Sequence, residues 1–118
     1  MEAVFRYQIR EHRNNGQICF LAVKNAPPER AVMNRLSDLP FALPLSPRFG
    51  TGPNGYTDKT TGKAALHFWI DRIGWDSDAD VRLEGGGAAA GMSGDAGVFT
   101  ASWRRGGWTV SYERRVMF

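Results

Sequence analysis

The chain has few of the residues on which disulfide frameworks and metal sites depend. Its 118 residues include one cysteine and two histidines. A single cysteine cannot form an internal disulfide, and Cys19 lies in the apolar run ICFLAV, which predicts an inert buried thiol. His12 and His67 alone do not make a zinc-ligand set. A chain of this length can bury a core of its own, so we expect one domain, residues 1–118, with no metal and no cofactor.

Long apolar runs are absent as well. No stretch approaches the roughly 18 apolar residues that a membrane-spanning helix needs. The start of the chain, MEAVFRYQIREHR, carries too many charges for a signal peptide. We therefore expect a cytoplasmic protein that does not enter a membrane. A secreted protein whose signal peptide had been removed would have the same features.

The positive charges do not form a concentrated patch. The net charge is +3, from 15 basic and 12 acidic residues. The arginines are scattered along the chain, apart from the pairs Arg104–Arg105 and Arg114–Arg115. Dedicated nucleic-acid binders usually cluster their basic residues on one face. This distribution favours an unknown protein or small molecule as the partner over a nucleic acid.

The first half of the chain has signals for two short helices and one buried strand. Residues 2–12 alternate as a strand would, but their composition and the i, i+4 spacing of Phe5 and Ile9 favour a helix. Residues 14–16 indicate a turn, and the nearly continuous apolar run at 17–24 predicts a buried strand. The segment NAPPER then opens a second helix. Its apolar stripe is formed by Val32, Met33, Leu36 and Leu39.

Residues 40–62 form a segment rich in proline and glycine. Four prolines and four glycines fall within it, and we expect a long loop with a short edge strand near Phe41–Leu43. A loop of this length in a small domain is either functional or flexible.

The second half of the chain has the pattern of an antiparallel sheet. Leu66, Phe68 and Ile70 share one face, and a bulge near Asp71–Arg72 brings Ile73 and Trp75 out of phase with them. A two-residue loop at 105–106 or 106–107 predicts a final hairpin. One face of that hairpin is apolar, which favours Trp103 and Trp108 as core residues over a ligand cage. The predicted fold is α+β, with two short helices packed on a curved antiparallel sheet of four to six strands.

Two motif-like stretches lack the context that their functions require. The glycines in GGGAAAG fit a dinucleotide fingerprint by spacing, but a strand follows them where the fingerprint needs a helix, so we expect a flexible hairpin loop. The acidic stretch DSDAD has the spacing of a calcium loop, but Val81 and Gly87 stand where that loop needs glycine and glutamate. It predicts an acidic turn between strands.

One group of residues could take part in catalysis. His67, Trp69 and Asp71 share a face of the strand HFWID, and a pocket on that face would let His67 and Asp71 act as an acid–base pair. Trp69 and Tyr56 would line such a pocket. A hydrogen-bonded or solvated pair without catalytic function fits the same residues.

Parts of the chain resemble known groups of proteins. The segment from DKTTGKAALHFW to GGWTVSYERR, with a final G-W-x-V hairpin, resembles small bacterial α+β proteins of unassigned function. More loosely, the hairpin is similar to the last strands of SnoaL-like and nuclear-transport-factor-two-like (cystatin-like) domains. That resemblance implies a curved sheet cupped around helices with a cone-shaped pocket. Such domains include isomerases, hydrolases and lyases, as well as binding and dimerisation modules.

These observations predict a small non-enzymatic binding or protein-interaction domain, with Tyr56, Trp69, Trp103 and Trp108 as candidate ligand-binding residues. The alternative is a cofactor-free SnoaL-like enzyme in which Asp71 is the base and His67 its partner. An open face of the sheet would also suit a homodimer, because 118 residues are few to bury four tryptophans.

Overall fold

Two helices and eight strands make up the described part of the chain, which in this computed structural model is residues 1–12, 17–52, 55–89 and 94–118. In chain order they are α1 (Glu2–His12), β1 (Cys19–Val23), α2 (Arg30–Arg35), β2 (Ala42–Pro44), β3 (Phe49–Gly52), β4 (Gly55–Asp58), β5 (Leu66–Trp75), β6 (Asp80–Ala88), β7 (Gly94–Arg104) and β8 (Gly107–Met117). The predicted α+β class is confirmed. The predicted turn at 14–16 lies outside the described residues. Within the described ranges, no helix is both long and apolar enough to cross a membrane.

Six strands form the main sheet in the order β2-β1-β5-β6-β7-β8. The strands β5 to β8 are an antiparallel meander, as predicted. The predicted bulge in β5 falls between Ile70 and Arg72. In the last hairpin, Arg105 and Gly106 both have positive φ, which is the geometry of a two-residue type I′ turn.

The sheet is mixed, which the sequence did not predict. Strand β1 pairs in parallel with both β2 and β5. The six-residue helix α2 lies on the connection from β1 to β2, and it is too short to give the repeated strand–helix alternation from which parallel sheets are predicted. The continuous apolar run of β1 agrees with this position, because a strand with parallel neighbours on both sides is buried on both faces.

Helix α1 packs on the sheet and forms the core with it. Its buried residues are Val4, Phe5, Gln8 and Ile9, which lie on one side of a helix and would not share one face of a strand. The helical prediction for residues 2–12 is therefore confirmed. The core beneath α1 includes Phe68, Ile70, Leu83 and Phe99.

A polar clamp joins the two helices. The Arg6 guanidinium donates hydrogen bonds to Asp38 Oδ1 and to the Arg35 carbonyl oxygen, both at 2.7 Å. Arg6 Nε also donates to Glu2 one turn earlier, at 2.7 Å. These hydrogen bonds join α1 to the end of α2 and to the turn that follows it.

The proline- and glycine-rich segment 40–62 is not one long loop. Strand β2 continues the main sheet at its edge, and β3 and β4 pair as a separate antiparallel hairpin. The Phe49 ring in β3 contacts the Phe20 ring in β1, with centroids 5.2 Å apart. The hairpin therefore covers the sheet face opposite to α1. Sequence patterns missed it because its strands are four residues long and alternate poorly.

The carboxylate of Asp58 holds this hairpin in place. The Asp58 side chain is fully buried and accepts a hydrogen bond from Arg48 Nη2 at 2.8 Å and another from Thr61 Oγ1 at 2.8 Å. The Thr60 amide also donates to it, at 3.1 Å. The Arg48 guanidinium, followed by these smaller donors, holds the pKa of the Asp58 carboxyl well below its usual range.

The glycine triplet lies inside β6 rather than in the predicted hairpin loop. A Cβ on Gly85 would stand 2.2 Å from the Trp69 carbonyl oxygen, and one on Gly87 would stand 2.6 Å from the Phe68 ring. The glycines are needed because neighbouring atoms occupy the space of a side chain. Residues 90 and 91 of the predicted loop lie outside the described residues.

We expect Asp58→Asn to lower the melting temperature by roughly 10 °C, because the amide leaves the half-buried Arg48 without its anion. The stabilisation by Asp58 should be present above about pH 4 and decline below it, since its folded pKa is lowered. Circular dichroism melts at several pH values test this. Asp78→Asn, at an exposed position, is the control. Equal melting temperatures for the two variants would contradict the assigned role.

Candidate functional site

Three of the predicted site residues meet on the sheet face opposite to α1. The His67 ring lies 5.5 Å from that of Tyr56 and 5.2 Å from that of Trp69, centroid to centroid. Phe49 is closer still, at 4.9 Å. We call these four residues the histidine cluster. Strand alternation places His67 and Trp69 on one face, and the β3–β4 hairpin brings Phe49 and Tyr56 over them.

His67 is held in a largely apolar setting. Its Nε2 atom is buried and has no hydrogen-bond partner within the described part of the chain. Burial lowers the pKa of His67 below its ordinary value of 6.5, and the charge of Asp71 opposes this with a smaller effect. The imidazole is thus neutral at pH 7.

Asp71 does not join this cluster. It is exposed at the bulge of β5, and no hydrogen bond links it to His67 within the described ranges. The bulge breaks the alternation that would have kept both side chains on one face. The two residues predicted as an acid–base pair are therefore not brought into contact.

Trp103 and Trp108 lie at the far end of the sheet, so they share no site with Trp69. The two rings pack at 5.4 Å, and Trp75 contacts Trp108 at 6.2 Å. The prediction that they are core residues is wrong, because 45% of Trp103 and 40% of Trp108 is exposed. Alternation puts them on the core face, but that face continues past the area covered by the helices. We call Ile73, Trp75, Trp103 and Trp108 the tryptophan patch.

A large hollow lies elsewhere, between α1 and strands β5 to β8. Two cavities of about 360 Å³ and 310 Å³ adjoin there. They share His12, Gly87, Asp95 and Arg114 as lining residues. We call the joined cavities the α1 groove.

The α1 groove has one apolar end and one polar end. The apolar end is lined by Leu66, Phe68, Ala88, Ala89, Met117 and Phe118. The polar end is lined by Tyr7, Gln8, Glu11 and Tyr112. Aromatic side chains support this end from below: Phe99 stacks on Tyr112 at 4.5 Å and meets the edge of Tyr7 at 6.0 Å.

Gln8 is the most unusual residue of the groove. Only 1% of it is exposed, and its Nε2 donates to the Gly86 carbonyl oxygen at 2.9 Å. Its Oε1 atom is buried and has no hydrogen-bond partner in the part of the chain that the structure describes. A buried polar atom without a hydrogen bond costs about 1–3 kcal/mol, so such atoms are rare unless something else satisfies them.

Tyr112 supplies a second buried polar atom at the same end. Its hydroxyl faces the Asp95 carboxylate. Burial, followed by the negative charge of Asp95 and by a hydrogen bond to that carboxylate, raises the pKa of Tyr112 to about 12. The phenol is therefore protonated at neutral pH and can donate or accept.

Charged side chains surround these two atoms. Asp95 Oδ1 lies 3.9 Å from His12 Nε2, and only 17% of the Asp95 side chain is exposed. Arg114 and Glu11 complete the charged lining. The sequence carried one signal for this site, since Gln8 interrupts an otherwise apolar helix stripe. The Tyr112 side chain could be placed on the apolar face of β8, but not beside a cavity.

Within residues 1–12, 17–52, 55–89 and 94–118, no group of three or more His, Cys, Asp or Glu side chains is placed to hold a metal ion. No family model, curated protein or solved structure matches this chain. The site is therefore interpreted from its own geometry.

We expect the stability of the protein to fall as the pH drops through about 6.5, because His67 binds a proton more readily in the unfolded chain than under the hairpin. His67→Gln and His67→Phe should both flatten this dependence between about pH 5 and 7. Urea unfolding at a series of pH values measures it. If the variants keep the slope of the natural protein, the assignment to His67 is wrong.

Proposed function

We propose that the protein is a non-enzymatic small-molecule-binding domain whose ligand occupies the α1 groove. The observation that carries this proposal is the buried Gln8 Oε1 atom, which has no hydrogen-bond partner within the described residues, at one end of a hollow whose other end is apolar. A ligand with an apolar body and a polar head would satisfy both ends at once.

The size and setting of the groove support binding. Its two cavities, of about 360 and 310 Å³, fall within the range of small-molecule sites. Its walls are helix α1 and the four strands β5 to β8, and hydrogen bonds from Arg6 join α1 to Arg35 and Asp38. A preformed site loses little entropy when it takes up a ligand.

The enzyme alternative has weaker support. It depends on Asp71 acting on a substrate with His67 as its partner, but Asp71 is exposed and the His67 ring is enclosed by the histidine cluster. A general base must come within hydrogen-bond reach of its partner and its substrate.

The tryptophan patch favours a second function. We also propose that it is the contact surface of a weak homodimer. Its tryptophan rings are between 40% and 61% exposed, although they stand on the face of the sheet that elsewhere forms the core. An exposed apolar surface of this kind can pack against a copy of itself across a two-fold axis.

We expect N-phenyl-1-naphthylamine, an uncharged fluorescent probe, to bind saturably with a rise in emission. Ala89→Trp, which fills the apolar end of the groove, should weaken this binding about tenfold or more, the effect of losing a few buried methylene groups. Trp75→Ala removes part of the tryptophan patch and should leave the affinity unchanged.

Melting curves of both variants confirm that each is folded. Loss of probe binding in Trp75→Ala, with normal binding in Ala89→Trp, would place the probe on the tryptophan patch and contradict the proposed site.

Sedimentation velocity over a range of protein concentrations tests the homodimer. We expect the dimer fraction of the natural protein to rise with concentration, and Trp75→Arg to be monomeric, because the positive charges repel each other across the two-fold axis. Val116→Arg is the matched control, since Val116 is an exposed apolar residue outside the tryptophan patch. A natural protein that stays monomeric at all concentrations would contradict the homodimer.

A further inference from the structure

We infer that the ligand of the α1 groove carries a protonated amine at its polar end, next to an apolar chain or ring. This inference rests on the proposed function and specifies the chemical class of its ligand. It follows from the kinds of hydrogen-bonding atoms that the groove presents and from the charges around them.

The orientation of the Gln8 amide determines whether the ligand must bring a hydrogen-bond donor or an acceptor. Its nitrogen donates to the Gly86 carbonyl oxygen at 2.9 Å, and the opposite orientation would place two oxygens against each other. The free atom is therefore Oε1, which can only accept. A ligand that satisfies Oε1 must bring a donor.

The charges around the polar end favour a cation as that donor. The Asp95 carboxylate is mostly buried in the lining and Glu11 lies nearby, both of which only accept when ionised. His12 and Arg114 lie in the same lining, and as hydrogen-bond donors they would favour an acceptor or an anion instead. Arg114 and Glu11 are both exposed to solvent, so their charges are screened more than that of Asp95.

A carboxylate head would be attracted by Arg114 and could accept a hydrogen bond from His12. It would leave Gln8 Oε1 unsatisfied and stand beside the Asp95 carboxylate, which costs free energy.

Three probes with the same eight-carbon chain separate these cases: octylamine, 1-octanol and octanoate. Each is titrated against the natural protein by displacement of N-phenyl-1-naphthylamine and by isothermal calorimetry. We expect octylamine to bind most tightly, 1-octanol less tightly and octanoate most weakly. The alcohol supplies a donor without a charge, so it measures the hydrogen bond to Gln8 apart from the attraction of Asp95.

Asp95→Asn isolates the charge. It should weaken octylamine binding about ten- to a hundredfold, the loss of one charge-assisted hydrogen bond, and change 1-octanol binding less than about threefold. Gln8→Met keeps the volume of the side chain and removes the acceptor, so it should weaken octylamine and 1-octanol alike. Trp75→Ala should leave all three affinities unchanged.

The outcomes distinguish the inference from the function on which it rests. Octanoate binding as tightly as octylamine, with Ala89→Trp weakening both, would overturn the amine head and leave the groove as a binding site. An unchanged octylamine affinity in folded Asp95→Asn would overturn it too. If none of the three probes binds and N-phenyl-1-naphthylamine does not bind either, the proposed function itself is wrong.

Discussion

The packing of α1 against the antiparallel strands is the contact on which the core and the groove both depend. A helix of eleven residues is marginal in water by itself, so it is maintained by the apolar side chains that it buries. Val4, Phe5 and Ile9 supply that burial. Gln8 lies among them but buries a polar side chain. Its amide nitrogen donates to the Gly86 carbonyl oxygen in β6, and its Oε1 atom has no partner within the described residues. One helix face therefore supplies both the stability of the fold and the polar end of the candidate site.

Much of the fold could be predicted, because its main elements are long and periodic. The meander β5 to β8, its bulge and its last turn follow from alternation and from glycine at the turn. Which strands pair with β1 could not be predicted from local sequence patterns. The parallel partners of β1 and the β3–β4 hairpin depend on contacts between distant segments, such as Phe20 with Phe49. The glycine triplet lies in a strand because neighbouring atoms leave no room for side chains there, and local propensity does not predict this.

The candidate site was less predictable than the fold. Strand alternation correctly put His67 beside Trp69, but it could not show that a hairpin would cover them or that the bulge would separate Asp71. Alternation also placed Trp103 and Trp108 on the core face without showing that the helices leave this end bare. A cavity is a property of surfaces that meet from different parts of the chain. Local patterns name the residues that could line it but not which of them meet.

The glycines at the base of the groove limit how related sequences could differ. The Phe68 ring occupies the space of a side chain at Gly87, and a side chain at Gly86 would point to the opposite face, toward Trp69, so this wall of the groove is bare main chain. Main chain presents the same atoms whatever the sequence. Divergence in ligand preference would therefore have to come from α1, β7 and β8, through positions such as Gln8, Asp95 and Tyr112. Strand β6 would stay nearly constant while the residues facing it varied.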